Sequence, residues 1–504
     1  MPEKGARFNP WSFVPLLYFM QAVPVTLVQE VATVVYKDLG VDNAAITRWT
    51  SLIALPWALQ MLLGPLVELN GTKRRWMLGG QASIAAGLIL AAFMLGTPNP
   101  FAYSLVVLGF TAVASALCNI ATDGFYLLSM AKDQQAAFAG VQTTAYRLGR
   151  LFCTGILVFI VGASGLNPRV AWPVVLGGAA ILYVVGVLLN SRTVPKPALD
   201  APAEGPPGET VRNIARTLWV LALGVGAYFL GNAAVRLTAN LAWQTLDGRP
   251  DGPLKGWRLP DESDLLGFHL DGARAEWAQL ALCAIVVVTA YIGVTRSLRR
   301  SEMGEAFGSF IRQRTFPAIL AFVLFYRFGE AMVSKMSPLF LKDTLANGGL
   351  AIGNEQLGLI KGVAGVLGIV FGGILGGVFV SRWGLKRAIW PMALTMHVPN
   401  LLYLWAAYAK PPSGAVYGIE FVDQFGYGFG FAGYMIILQR IAQRGRFRTA
   451  HYAIGTGMGA LCIAVAGIVS GIVQSNFGYT GFFWAVMAAT IPGMLTLFAL
   501  PLEE

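Results

Sequence analysis

The chain has 504 residues, of which 56% are hydrophobic and only 12% charged, with a mean hydropathy of +0.60. Soluble domains carry about 25% charged residues, so composition excludes a soluble globular protein and indicates a polytopic helical membrane protein. The net charge of +11 does not imply a nucleic-acid partner, because the basic residues fall in short segments between apolar runs.

A helix needs roughly 20 apolar residues to cross a bilayer. Such runs are expected near 12–36, 45–68, 76–96, 101–130, 137–163 and 170–190. The polar stretch Ser191 to Arg216, with Pro195, Pro197, Pro202, Pro206 and Pro207, reads as a linker. Two more runs lie near 217–244 and 277–297, separated by the polar loop Thr245 to Glu276. Met303, Phe307, Phe310 and Ile311 then recur at helical spacing beside arginines, which predicts a short amphipathic surface helix. Six runs follow, near 315–341, 356–380, 387–409, 414–439, 450–474 and 480–500. The pattern is six, two, six, about fourteen spans. It divides the chain into an N-terminal bundle (1–190), a linker with two inserted helices and an external loop (191–300), and an amphipathic helix with a C-terminal bundle (301–504). Met1 to Trp11 is polar and the first apolar run is too long for a signal h-region, so no cleavable signal is expected.

Alternating segments are unequal in charge. One set holds 22 Lys and Arg, in clusters such as Lys73, Arg74 and Arg75, and Arg440 to Arg448; the other holds eight, among them Lys37, Lys342 and Lys410. The positive-inside rule puts both termini in the cytoplasm, as an even span number requires.

The acids within the spans carry most of the functional signal. Glu30, Asp123, Glu330, Glu420 and Asp423 fall on helices 1, 4, 7 and 10 once the inserted pair is set aside. A charge at membrane depth costs at least about 2.5 kcal/mol and marks a functional site by default. Five acids on every third helix predict one shared polar cavity. Arg147 and Arg150 share a helix face, as do Arg327 and Glu330, and Glu420 and Asp423 with Gln424 beside them. Acids and bases at this depth neutralise each other or a solute. Tyr326 stands four residues before Glu330, so one turn offers a ring, a cation and a carboxylate; the competing reading is a structural ion-pair network. Trp49 reads as an interfacial anchor, Arg236 as a packing residue of an inserted span. Cys118, Cys153, Cys283 and Cys462 lie in apolar runs and read as packing residues. No metal or cofactor constellation and no catalytic arrangement is present in the sequence. Gly428-Phe-Gly430-Phe-Ala-Gly433 fits a dinucleotide pattern but lacks a preceding strand, so it reads as helix packing, as does the ridge Gly368, Gly372, Gly376.

Two loops repeat a pattern: Gly64, Glu68, Gly71, Lys73, Arg74, Arg75, and Gly377, Ser381, Arg382, Gly384, Lys386, Arg387. Both resemble the cytoplasmic signature of the major facilitator superfamily, with Glu68 and the uncharged Ser381 departing from its usual Asp. The resemblance implies two six-helix bundles with alternating access, and a gating role for Gly64, Glu68, Gly71, Arg74, Arg382, Gly384 and Arg387. Asn119 to Asp123 and Tyr146 to Arg150 resemble the branch of AmpG-type muropeptide permeases and acetyl-CoA transporters. Tyr326 to Glu330 with Lys335, and Phe425 to Tyr434, resemble a subgroup associated with bacterial glycan use. The expectation is a secondary active importer, in the bacterial inner membrane, of a polar sugar-containing solute. Protonation of cavity carboxylates provides the coupling, with sodium as the other candidate ion. The alternatives are a carrier of an anionic solute such as an acyl-CoA, held by Arg147 and Arg327, and a membrane sensor that does not transport.

Overall fold

A computed structural model describes residues 8–60, 63, 67, 71–130, 132–198, 200, 209–242, 244–245, 261–265, 268–298, 308–313, 315–443 and 448–500. Among the described residues the regular structure is helical apart from an antiparallel hairpin between the inserted helices, β1 (Glu262–Leu265) and β2 (Phe268–Asp271), in which Glu262 pairs with Asp271. No strand is expected there from sequence, since Glu and Asp are depleted in strands; a bond from the Gly272 amide to the Asp261 carbonyl, 3.0 Å, closes the base.

The helices are α1 (Val14–Thr26), α2 (Ala32–Asp38), α3 (Asn43–Leu52), α4 (Leu55–Ala58), α5 (Lys73–Leu95), α6 (Pro100–Ser129), α7 (Lys132–Leu151), α8 (Val158–Ala163) and α9 (Pro168–Thr193). The inserted pair is α10 (Glu209–Ala242) and α11 (Gly272–Leu298). The second half holds α12 (Phe316–Phe325), α13 (Phe328–Lys342), α14 (Asn354–Gly358), α15 (Gly365–Trp383), α16 (Leu385–His397), α17 (Asn400–Ala409), α18 (Ser413–Gln443) and α19 (Arg448–Ala499). Local chemistry sets several starts: Asp42, Thr72, Asn99 and Asn167 accept bonds from amides two or three residues on, and Pro100 and Pro168 occupy the first helical position, where no amide hydrogen is needed.

Among the described residues nine stretches are long and apolar enough to cross a membrane. Three of the five spans by which this differs from fourteen have local causes. The run at 387–409 breaks at Val398–Pro399, that at 45–68 breaks after Leu52, and those at 450–474 and 480–500 join as α19 across Gly478, whose φ of 65° marks a turn between two helices. Apolar side chains such as Phe93, Phe110, Ile181 and Phe498 face outward, whereas Glu330, Glu420, Asp423 and Gln81 are buried. That inversion of a soluble protein's arrangement suits a lipid surround. The ridge of Gly368, Gly372 and Gly376 lies against the Phe421, Phe425 and Phe429 carbonyls of α18, which a Cβ at each glycine would meet at 2.5, 2.1 and 2.7 Å. The inserted helices pack on the first half at α3 and α4: Tyr228 donates to the Arg48 carbonyl at 2.6 Å and Phe229 meets Trp49 edge-on. Trp49 thus packs against the inserted pair, and Arg236 pairs with Glu276 at 2.7 Å across that pair.

π-helical turns interrupt the spans at Leu27–Val31, Phe152–Leu157 and Leu359–Ala364. Such turns widen a helix locally and concentrate at functional sites. Here they contain Glu30, follow Arg150 and contain Lys361.

Candidate functional site

A cavity of about 200 Å³ lies between the halves. Gln29, Glu30, Ser51, Trp57 and Arg150 line it from the first half, and Arg327, Glu330, Ser334, Lys335, Gln424 and Tyr427 from the second. A smaller neighbouring space shares Gln29, Glu30, Arg150, Ser334, Lys335 and Gln424 and adds Lys361 and Glu420. Three of the five expected acids therefore line connected space: Glu30, Glu330 and Glu420. Asp423 is buried behind it, and Asp123 is exposed beside the buried Tyr18 and Tyr126. The expectation of one polar cavity shared by all five acids is therefore met by these three and not by Asp123 and Asp423.

Each carboxylate has different neighbours. Glu30 pairs with Arg150, whose Nε lies 3.0 Å from Oε1. Glu420 takes Lys361 at 2.8 Å and the Tyr403 hydroxyl at 2.6 Å. Asp123 accepts from the Tyr18 hydroxyl at 3.2 Å. Asp423 accepts from Gln424 on one oxygen, 3.0 Å, while its Oδ1 has no donor among the described residues; nor has Glu330 Oε2.

The expected Arg327–Glu330 pair and the shared turn with Tyr326 are not what the fold builds. The span breaks between α12 and α13, where Arg327 is the cap residue of α13 with φ and ψ of −102° and 0°. Its guanidinium swings toward α18, donates to the Tyr427 hydroxyl at 2.7 Å, and lies over the rings of Phe431, Tyr427 and Tyr434 at 4.6, 5.6 and 5.4 Å. Tyr326 is fully buried, stacked on Tyr434 at 5.9 Å, and belongs to the packing of the second half instead of the cavity wall. Arg147 does not join the cavity; its guanidinium passes Gly373 of α15, in the other half. Lys361, Tyr403, Gln29 and Ser334 were not singled out from sequence. Lys361 had a signal, as a lone cation in an apolar run; Tyr403 and Gln29 had none.

The loop pattern has a structural explanation. Gly71 and Gly384 both take positive φ, 81° and 72°, the backbone that glycine adopts without strain. Arg74 bonds the Ser191 and Val194 carbonyls at the end of α9, 3.0 and 3.3 Å away, and Asp200 caps α5 through the Lys73 and Arg74 amides, 2.7 and 2.9 Å. Arg382 and Arg387 are exposed. Arg74 thus ties down its own half's linker. Gly64 and Glu68 lie outside the described residues, as do Met303 and Phe307 of the expected amphipathic helix.

At the opposite end the halves are joined directly. Lys37 Nζ lies 2.9 Å from Asp343 Oδ2, and Lys342 pairs with Asp38. Two Lys-Asp dipeptides, one per half, therefore exchange partners. Asp343 also accepts from Asn43 at 3.2 Å and Tyr479 at 2.8 Å, and Asp38 from Trp172 at 2.8 Å and Asn354 at 2.6 Å. Burial pushes the Asp343 carboxyl up, but bonds from Lys37, Tyr479 and Asn347, with the Lys37 charge, more than offset it and hold the group below its usual range. Beneath this network Gly155 meets Gly362, where a Cβ on Gly362 would lie 2.3 Å from the Gly155 Cα.

Comparison with known proteins agrees with this architecture. The family model "Major Facilitator Superfamily" matches residues 11–447. A Rickettsia conorii protein named "Putative transporter AmpG 4" is 18% identical over 96% of this chain and 94% of its own length. An uncharacterized Haemophilus influenzae protein is 24% identical over 45% of the chain, and the Escherichia coli anhydromuropeptide permease 21% identical over 36%. Those two matches span only 56% and 35% of the relatives' own lengths. In fold, a POT family transporter crystallised with a thioalcohol-conjugated peptide superposes with a TM-score of 0.63 at 12% identity, covering 96% of this chain and 94% of that one. The nucleoside transporter NupG gives 0.51 at 14%, covering 96% and 97%. The chain belongs to the Major Facilitator Superfamily, and is a multi-pass membrane transporter of that family, not an enzyme.

Proposed function

We propose that the protein imports a polar, sugar-containing solute, of which an anhydromuropeptide is the leading case, by proton-coupled alternating access. The observation that carries this reading is the cavity between the halves, whose walls combine carboxylates, cations, amides and the rings of Trp57 and Tyr427. Sugar rings offer apolar faces to aromatic side chains and hydroxyls to carboxylates and amides. The names of the AmpG relatives favour the same class. Both termini face the cytoplasm, the membrane is a bacterial inner membrane, and the Lys37–Asp343 end faces outward, in keeping with the basic-residue asymmetry. The structure's polar links then close the outer side, while the signature loops mark the inner one. Units 1–190 and 301–504 move against each other, and 191–300 rides on the first.

Coupling falls to carboxylates without a cation at bonding distance, because a proton can then remove a charge that nothing else balances. Asp123, Glu330 and Asp423 meet that description; Glu30 and Glu420 are held by Arg150 and Lys361. Thermal stabilisation of the purified protein across anhydromuropeptides, disaccharides, monosaccharides and acyl-CoA tests the substrate class. Stabilisation by the anhydromuropeptide above all others is expected; stabilisation by acyl-CoA alone would replace this reading with an acyl-CoA carrier.

A further inference from the structure

The cation and carboxylate inventory of the cavity does not balance. Its walls carry four cations, Arg150, Arg327, Lys335 and Lys361, against three acids, Glu30, Glu330 and Glu420. Two cations are matched within 3 Å: Arg150 with Glu30 at 3.0 Å and Lys361 with Glu420 at 2.8 Å. Arg327 and Lys335 remain; the acid nearest in effect to Arg327 is Glu330, and the one facing Lys335 is Glu30, already bonded to Arg150. Arg327 is already seated, bonded to Tyr427 and stacked over three rings. Lys335 is not. Among the described residues its ammonium reaches a single neutral acceptor, the Gln29 carbonyl across the interface, at 3.3 Å. An ammonium has three donors. Glu330 is five residues away on α13, about 140° around the helix axis and so on another face. The neighbour of Lys335 toward the cavity is Ser334, exposed and carrying a hydroxyl.

We propose that Lys335, with the Ser334 hydroxyl beside it, forms a subsite for a carboxylate on the solute. The inference deepens the transporter reading and rests on it: it adds that the solute is anionic and says where its charge sits. Arg327 lies eight residues back on the same span, roughly 12 Å along the axis at helical rise, so the carboxylate and a ring stacked near Tyr427 belong to opposite ends of one extended solute. The bond of Lys335 to Gln29 crosses from one half to the other. A carboxylate arriving at Lys335 competes for that ammonium and so engages the residue that links the halves beneath the outer closure.

The test uses the full-length protein in nanodiscs and two probes that differ only in charge: an anhydromuropeptide with free peptide carboxylates and the same molecule with those carboxylates amidated. The acid is expected to bind about tenfold or more tightly than the amide, as for a charge-assisted bond. Lys335→Gln is expected to bring the ratio to about one, and Lys335→Arg to restore most of it. Equal affinity of acid and amide for the wild-type protein, or a ratio that survives Lys335→Gln, overturns the subsite while leaving the transporter reading intact. Binding of neither form overturns the muropeptide reading, and the subsite with it. A Lys335→Gln protein that does not fold is replaced by Ser334→Ala, which is expected to lower the ratio at least about twofold; an unchanged ratio there overturns the shared subsite.

Discussion

Lys37 and Asp343, 306 residues apart, meet at 2.9 Å and join the two halves of the molecule. Asp343 is buried and takes further bonds from Asn43 and Tyr479, so its charge is held within a formed network and not on an open surface. Removing one partner of such a pair leaves the other uncompensated, at a cost of about 3–5 kcal/mol when burial is complete. Asp343→Asn is therefore expected to open this end. Spin labels at the exposed positions Leu166 and Leu345 should gain a longer distance population, and the exchange Lys37→Asp with Asp343→Lys should recover part of the short one. An unchanged distribution in Asp343→Asn would remove the pair from any role in closure.

The same contact sets a pH dependence. The Asp343 carboxyl is held below its ordinary value of 3.8, so its ionised, bonded form favours closure at all pH above that value. Closure weakens only as pH falls through the lowered value, and by linkage the loss is confined to acid below about 3.8. The groups facing it are Lys37, Asn43, Asn347 and Tyr479. The Leu166–Leu345 distance should be constant between neutral pH and mild acid. A transition near neutrality would show that another group controls this end.

Closure also depends on bare backbone contact. A methyl on Gly362 would lie 2.3 Å from the Gly155 Cα, whereas one on Gly177 meets nothing within 4 Å. Gly362→Ala should cost about 1–3 kcal/mol, as overpacking does, and lower the melting temperature; Gly177→Ala should not. Equal melting of the two variants would contradict the tight approach of the halves.

In the second half, Glu420 is 1% exposed and balanced by Lys361. Lys361→Met should lower thermal stability strongly, and adding Glu420→Gln should restore much of it, since the lone charge is then gone. A double variant no more stable than the single would show that Lys361 acts on something other than Glu420.

Much of the architecture was legible because the bilayer demands long apolar runs and cytoplasmic basic loops. The acids were legible because charge at membrane depth is rare. Pairings were less so. Arg327 and Glu330 are three apart and would meet on a continuous helix, but the break at Tyr326–Arg327 turns the guanidinium to the α18 rings. Lys37 and Lys342 looked like ordinary loop charges because their partners lie in the other half, a relationship that spacing cannot carry. Asp123 was read as buried and is exposed, because the packing of neighbouring helices, not position along a run, decides which side chains are covered.

Asp123 offers the most direct test of coupled transport. It is exposed, and an asparagine carbonyl can still accept the Tyr18 bond, so Asp123→Asn should fold with an unchanged melting temperature. The decisive measurement is uptake of radiolabelled anhydromuropeptide into proteoliposomes with an acidic exterior. The wild-type protein should accumulate it above the external concentration and Asp123→Asn should not. Wild-type uptake no greater than that of empty vesicles would contradict the account.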